Sequence, residues 1–415
     1  MNKARSGKTL VVMGGGAAGF FCAVNAARMN PDLKVVIAEK SGKLLSKVKI
    51  SGGGRCNVTQ AAFDIREMSK RYPRGNHFVK KLFGHFFTTD TIEWFRERGV
   101  TLKTEPDGRM FPITNSSQTI IDCLLKEADK YQVQINMQCG ITAISRVADG
   151  FVLTTSAGQQ LKADFVCVAT GGFPKISQFD WLQNTGHTIA NPVPSLFTFN
   201  LPGHPLTQLM GVTVADALVK LTGSKLQQQG PVLITHWGLS GPAVLKLSAY
   251  AARETAAKNW HFDVLINWLP AYNEYSLKEK FLQLRIDNGA QLLQHKNPFG
   301  LPQRLWEFLL EQSGVPPQCR RADLAAKPQN ELIKNLTAYP ISVKGKTTFK
   351  DEFVTAGGIN LQEIDPHTMM SKKVAGLYFA GEIIDVDGVT GGYNFQNAWS
   401  SGWVAAKAIA LGSLV

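Results

Sequence analysis

The chain has 415 residues, 44% of them hydrophobic and 19% charged; at ~150 residues per domain this means two or three domains with a sizeable core, and it excludes wholesale disorder. Lys and Arg outnumber Asp and Glu by 45 to 32, and the net charge of +13 favours an anionic partner such as a phosphate-bearing cofactor or a nucleic acid. No run reaches the ~18 apolar residues that cross a bilayer, no signal-peptide pattern opens the chain, and Cys22, Cys56, Cys123, Cys139, Cys167 and Cys319 have neither CxxC nor zinc-ligand spacing, so the expectation is a cytoplasmic protein without disulfides, metal or a membrane partner.

Residues 9–13 (TLVVM) form a short, continuous apolar run of the buried parallel-strand kind, and the glycine turn after it opens an Ala-rich helix to about Met29. VVIAE at 35–39 completes a β-α-β unit. The turn itself, Gly14-Gly15-Gly16-Ala17-Ala18-Gly19, satisfies GxGxxG. Gly14 permits the tight turn, Gly16 lets backbone approach a pyrophosphate, and Gly19 lets helix and strand pack closely. Free amides at the helix start, those of Ala17 and Ala18 included, then face the phosphates. Glu39, twenty residues beyond Gly19, is placed to accept hydrogen bonds from an adenosine ribose.

A basic stretch, Lys40, Lys43, Lys47 and Lys49, leads into SGGGRCN at 51–57. Gly53 and Gly54 let backbone come close to something flat or charged. Lys40, Lys47, Arg55 and Asn57 join them as cofactor-binding candidates, with Lys47 and Arg55 placed to meet a pyrophosphate or a substrate phosphate. A solvated basic loop explains the same letters. Cys56 is a candidate cofactor contact and redox or acid residue, against the alternative of a structural thiol with no second cysteine nearby. REMSKRYPRGNHFVKK at 66–81, followed by LFGHFF, interleaves basic residues with Tyr72, Phe78, Phe83, Phe86 and Phe87. It reads either as a clamp for RNA phosphates and bases or as an amphipathic helix with core aromatics and a solvated basic face.

Helical patterns occupy 76–98 and 117–131, and FVCVATGG at 165–172 reads as another buried strand ending in glycines. After 191–197 the character turns β-rich, with GVTVADALVKL, GPVLITH, a helix near 242–254 and WHFDVLINWLP. His236 lies in THWGLSGP, just before a helix capped by Ser240 or Gly241 with Pro242 in its first turn, and is a candidate proton donor or a loop pin. A polar helical stretch at 274–335 and the β-like YPISVKG follow, and α/β character resumes near 353. The expected domains are a nucleotide-binding domain at 1–192 and 351–415, a β-rich insert at 193–273 and 336–350, and a helical subdomain at 274–335.

VAGLYFAGE at 374–382, a buried strand ending in Gly381-Glu382, resembles the late motif by which glutathione-reductase-type flavoproteins hold the ribityl and phosphate of FAD. Ala169-Thr170-Gly171-Gly172 resembles their middle ATG motif. Gly391-Gly392-Tyr393-Asn394 opens a helix to about Ala410, whose N-terminal amides would favour an anionic reduced flavin. Only one complete dinucleotide fingerprint is present, so NAD(P)H, if it is the reductant, binds transiently.

These segments, together with GRMFP at 108–112, THWGLSGPAVL at 235–245, TAGGI at 355–359 and the closing GLYFAGEIIDVDGVTGGYNFQNAWSSG, run through nearly the whole chain. By them the chain resembles the BaiN/RdsA (YhiN-like) family of FAD-dependent flavoproteins. The resemblance implies an α/β fold with a Rossmann-type, glutathione-reductase-like FAD-binding domain and an inserted β-barrel-like plus small helical part. It implies FAD as cofactor, Thr355, Tyr393 and Asn394 at the flavin edge, and Asn394 beside His236 and Cys56 among the catalytic candidates. Glu382 stands where related flavoproteins often have Asp. Family members are associated with reduction of carbon–carbon double bonds, in steroid-like substrates and in uridine of ribosomal RNA, and with amine oxidation. The leading expectation is a reductase in which NAD(P)H reduces FAD, flavin N5 delivers hydride to a conjugated double bond and a protein acid protonates the neighbouring carbon. The alternatives are an amine oxidase and a non-catalytic, FAD-containing module associated with RNA or the ribosome.

Overall fold

The structure, a computed structural model, describes residues 7–347 and 354–412. The chain divides into two compact units, one comprising residues 1–194 and 349–415, the other residues 195–348.

In the first unit β1 (Thr9–Met13) and β2 (Lys34–Ala38) are buried along nearly their whole length, as strands covered by helices on both faces must be. α1 (Ala17–Met29) joins them and is itself almost wholly buried. After α2 (Ser46–Gly54) and the two-residue β3 (Thr59–Gln60), the chain makes α3 (Ile65–Ser69), α4 (Asn76–Leu82) and α5 (Thr88–Arg96). The helical pattern expected across 76–98 is therefore broken, and the aromatic turn between α4 and α5 is where it breaks. Tyr72, Phe78, Phe83, Phe86 and Phe87 are all buried. This corrects the base-stacking reading of 66–87: the aromatics build core, while Arg66, Lys70, Arg71, Lys80 and Lys81 stay exposed at the surface.

Next come β4 (Leu102–Thr104) and β5 (Arg109–Pro112), which pair antiparallel with each other and, through β5, with β3. α6 (Gln118–Lys130) and β6 (Gln134–Asn136) lead to an antiparallel meander of β7 (Ile141–Val147), β8 (Gly150–Thr155) and β9 (Gln160–Ala163). β10 (Phe165–Val168), the short α7 (Asp180–Gln183) and β11 (Ile189–Ser195) close this stretch.

The second unit holds β12 (Thr198–Asn200), β13 (Thr213–Leu221), β14 (Gln227–Thr235), β15 (Gly238–Ser240), α8 (Pro242–Tyr250), α9 (Ala252–Ala257), β16 (His261–Asn267), α10 (Glu274–Asn288), α11 (Gln303–Gln312), α12 (Ala326–Thr337), β17 (Tyr339–Lys344) and β18 (Lys346–Thr347). Its seven strands run in the order β17-β16-β13-β14-β15-β12-β18, with each paired ladder antiparallel. The two outermost strands are consecutive in the chain and joined by Gly345 alone (φ +100°). The sheet therefore curls back until its edges approach, which gives the barrel-like form. Trp268, Trp306, Leu277 and Leu332 join the barrel and the helices in one core.

The chain then returns to the first unit through β19 (Val354–Ile359), β20 (Leu377–Phe379) and α13 (Tyr393–Gly412). β20 completes a five-stranded parallel sheet in the order β20-β10-β1-β2-β6. α13 lies against α1 so closely that a Cβ on Gly402 would sit 2.7 Å from the Ala18 carbonyl oxygen. The two ends of the sequence thus share one sheet and one helix pair.

No helix among the described residues is long and apolar enough to cross a membrane. Among the same residues no group of three or more His, Cys, Asp and Glu side chains is placed to hold a metal ion.

Candidate functional site

The glycine turn after β1 behaves as three different constraints. Gly14 has φ +108°, and a Cβ on it would lie 2.5 Å from the Ala169 carbonyl oxygen. A Cβ on Gly19 would fall 2.0 Å from the Gly14 carbonyl oxygen, so no larger residue lets α1 pack on the turn. Gly16, the N-cap of α1, has an extended backbone, and a Cβ there would meet nothing within 4 Å. The space over Gly16 is open, and the unpaired amides of the first helical turn border it. Glu39 lies beside the same turn, its carboxylate accepting from the amides of Gly15 (2.7 Å) and Ser41 (2.8 Å). Two of its lone pairs remain for a ligand.

The middle and late glycine motifs, more than 200 residues apart in sequence, meet at Glu382. A Cβ on Gly172 would lie 2.7 Å from Thr355 Oγ1 and 3.0 Å from Glu382 Oε1. Glu382 accepts from the Thr355 amide at 2.8 Å and pairs with Lys47 Nζ at 2.5 Å. Gly171 lies next to the same carboxylate, and Gly381 (φ +77°) sets the late motif against Ala18 of α1. Thr170 is half-buried at the end of the middle motif, and the Lys40 ammonium lies 5.4 Å from the Phe173 ring beyond it.

At the start of α13, Gly391 and Gly392 take φ of +134° and +93°. With its amide oriented to satisfy both partners, Asn57 accepts from the Gly392 amide (2.9 Å) and donates to the Thr59 carbonyl (3.0 Å). Gln396 accepts from Thr59 Oγ1 (2.6 Å) and Thr91 Oγ1 (3.1 Å), and Trp399 Nε1 donates to the Val58 carbonyl (2.9 Å). The segment 57–59 is thereby bolted to α13. Tyr393 is buried, and Asn394 exchanges two hydrogen bonds with the backbone of Gly388 (2.8 and 3.0 Å), so it braces the loop before the helix.

The SGGGRCN segment departs from its expected role. α2 is helical only as far as Ile50, after which Gly52, Gly53, Gly54 and Cys56 all take positive φ. Gly53 and Gly54 are exposed, with open space where a Cβ would be. The Arg55 guanidinium is held by Glu105 at 2.6 Å and stacks on Phe111 at 4.0 Å, so it braces the bend and is not presented to a phosphate. Cys56 is fully buried, and burial pushes its thiol up to about 12 despite a hydrogen bond with Ser51. The redox or acid reading of Cys56 gives way to a structural thiol. Iodoacetamide at about pH 8 is expected to label the partly exposed Cys139 and leave native Cys56 untouched; labelling of both at one rate would restore the reactive reading.

His236 lies in the second unit, exposed on the turn between β14 and β15, with its ring edge-on to Trp237 at 4.2 Å. Trp237 Nε1 donates to Thr198 Oγ1 at 3.2 Å, which anchors that turn.

Among the described residues the Thr355 hydroxyl and the Asn397 side-chain oxygen are buried without a hydrogen-bond partner. Both lie at the junction of the late motif and α13: Thr355 touches Glu382 through its amide, and Asn397 donates to the Gly381 carbonyl at 3.4 Å. Buried polar atoms rarely stay unpaired, so two at one junction mark a place where a polar ligand completes the bonding. The open space at Gly16, the ordered motif carboxylates and these two orphaned oxygens fit a dinucleotide laid from the α1 turn toward the start of α13.

Over residues 8–408 the sequence matches the family described as the HI0933-like protein Rossmann domain. The chain belongs to that family. Its curated relatives include a ribosomal RNA dihydrouridine synthase of Escherichia coli, 32% identical over 411 residues and 96% of each chain. A 3-dehydro-bile acid delta(4,6)-reductase of Clostridium scindens is 28% identical, covering 96% of this chain and 98% of the relative. In fold the chain is similar to a 3-ketosteroid-delta4-(5alpha)-dehydrogenase of Rhodococcus jostii (TM-score 0.51, 13% identity, 96% of both chains) and to a flavocytochrome c3 fumarate reductase (TM-score 0.50, 17% identity, 98% of this chain and 79% of that one). The HI0933-like chain thus has the Rossmann-type, FAD-binding fold of flavoprotein oxidoreductases.

Asn397 is absent from the set of site residues that the sequence suggests. It lies three residues after Asn394, on the same face of the HI0933-like α13, so helical periodicity could have found it.

Proposed function

We propose that this protein is an FAD-dependent reductase that saturates a conjugated carbon–carbon double bond, with uridine in ribosomal RNA as its substrate and NAD(P)H as its electron source. The observation that carries the cofactor is the pair of orphaned oxygens on Thr355 and Asn397 beside the open Gly16 turn. The substrate class is supported by relatives named for making dihydrouridine and for reducing a Δ4,6 bile acid, both of which saturate a double bond conjugated to a carbonyl.

Bound here, FAD supplies hydride transfer to and from carbon. The protein's part is binding and orientation. The α1 turn with Gly14, Gly16, Ala17, Ala18 and Gly19 holds the diphosphate, and Glu39 accepts from the ribose. Glu382, held in place by Lys47 and the Thr355 amide, would accept from the ribityl side. Asn397 Oδ1 and Thr355 Oγ1 gain partners, and the amides at the start of α13 stabilise negative charge next to them. Ala169, Gly171 and Gly172 keep backbone low enough for the ligand to pass.

The test is anaerobic mixing with NADH or NADPH, followed by ribosomal RNA lacking the modification, with flavin absorbance and dihydrouridine as readouts. The expected result is bleaching by one nicotinamide and recovery of the oxidised spectrum with RNA. If RNA never reoxidises the flavin but a steroid-like enone does, the substrate assignment falls; if neither nicotinamide bleaches it, the reductase reading falls.

A further inference from the structure

The excess positive charge is not spread evenly. Residues 40–81 hold eleven of the 45 Lys and Arg and two of the 32 Asp and Glu, a net of nine positive charges out of thirteen. Several of these cations are spoken for: Lys47 by Glu382, Arg55 by Glu105, Lys70 by Glu67 and Arg74 by Asp387. The remainder concentrates on the α3–α4 corner. α4 turns Phe78, Val79 and Leu82 inward, which leaves Lys80 and Lys81 exposed. α3 buries Met68 and Ser69 and leaves Arg66 exposed, with Arg71 exposed just beyond. Among the described residues no carboxylate comes within ion-pair distance of Arg66, Arg71, Lys80 or Lys81. Both acids of the segment are engaged, Asp64 as the N-cap accepting from the amides of Arg66 and Glu67, and Glu67 with Lys70.

Two further features set this corner apart from a solvated basic face. Phe63 is a large ring, 62% exposed, immediately before the Asp64 cap and three residues before Arg66. The corner is also fixed to the loop that leads into α13: the Arg71 carbonyl accepts from the Val389 amide (2.9 Å), Tyr72 Oη donates to the Tyr393 carbonyl (2.6 Å), and Arg74 is buried against Asp387. A polyanion held at this corner is held at a fixed place relative to the candidate flavin site.

We infer that the α3–α4 corner is a docking surface for single-stranded RNA, with Arg66, Arg71, Lys80 and Lys81 on the phosphates and Phe63 stacked on a base. The choice of polyanion rests on the ribosomal RNA reading above; the surface itself rests on charge and exposure.

The test measures binding of a fluorescent 20-nucleotide oligouridylate to the FAD-loaded protein as a function of salt. Four phosphate contacts give a slope of about −2.8 in log K against log[salt] for a single strand. The variant R66E/R71E/K80E/K81E is expected to lose nearly all of that slope, and at low salt to bind at least a hundredfold more weakly. The control K220E/K225E/K278E/K327E changes net charge equally in the other unit and should bind within about threefold of the parent. Phe63→Ala should weaken binding about tenfold and leave the slope alone. If the fourfold variant fails to retain FAD, K80Q/K81Q is the second probe and should lower the slope by about 1.4. Equal loss in both charge-reversal variants, a parent slope shallower than about −1, or equally salt-sensitive, corner-dependent binding of anionic phospholipid vesicles overturns the surface. None of these readouts depends on turnover, so a protein that binds at this corner but forms no dihydrouridine refutes the substrate and spares the surface. One that forms dihydrouridine with the corner reversed does the opposite.

Discussion

Arg74→Ala is expected to destabilise the nucleotide-binding unit by about 3–5 kcal/mol, because it leaves the Asp387 carboxylate buried without its countercharge. Asp387 is 0% exposed and Arg74 9%, and the guanidinium grips both carboxylate oxygens, with Nε at 2.6 Å from Oδ1 and Nη2 on Oδ2. The two residues also form an isolated β-bridge, so one contact joins the α3–α4 corner to the 385–389 loop through side chain and backbone together. Guanidinium chloride unfolding followed by tryptophan fluorescence should show the midpoint falling, with flavin released at lower denaturant. Arg74→Met combined with Asp387→Leu should recover most of the loss, because a neutral apolar pair needs no desolvation. If Arg74→Ala costs less than about 1 kcal/mol, in the range of an exposed pair, the clamp is not what holds the corner.

The parts of the fold legible in the sequence are those where one face of chemistry dominates. β1, β2, β10 and β20 are continuous apolar runs because both faces of the parallel sheet are covered, and the glycines after β1 sit where turn, approach and packing each exclude a side chain. The β7–β9 meander went unread because β7 has no fully buried position, so burial imposes no alternation on ITAISRV. The aromatics of 72–87 and Arg55 misled for a different reason. Composition reveals that a ring or a guanidinium is present, but not which way it faces. Tyr72 is turned inward by its hydrogen bond to the Tyr393 carbonyl, and Arg55 by Glu105 and Phe111. All three partners lie far away in sequence, beyond any local pattern. The convergence of Gly172, Thr355, Glu382 and Lys47 was legible only as separate motifs, since their meeting is set by the parallel order of β10 and β20.

The glycine turn provides the other large effect, and it separates binding from folding. Gly16→Val is expected to leave a folded protein that has lost FAD. The backbone at Gly16 has φ −94° and ψ −171°, which any residue adopts, and a Cβ there meets no protein atom within 4 Å. The folding cost is therefore confined to a poorer helix N-cap, about 1 kcal/mol. The valine instead fills the space next to the α1 amides that a diphosphate would occupy, forfeiting charge-assisted hydrogen bonds of ~1.5–3 kcal/mol each, so affinity for FAD should fall on the order of a hundredfold or more. Gly19→Val reverses the balance. Its Cβ would sit 2.0 Å from the Gly14 carbonyl oxygen and 3.4 Å from Val12, so strand and helix must separate, at ~1–3 kcal/mol or more. Circular dichroism, thermal melting of the apoproteins and flavin titration distinguish the two: G16V should melt near the parent and stay colourless, and G19V should melt well below it. A yellow, fully loaded G16V would show that the diphosphate does not cross the turn at Gly16.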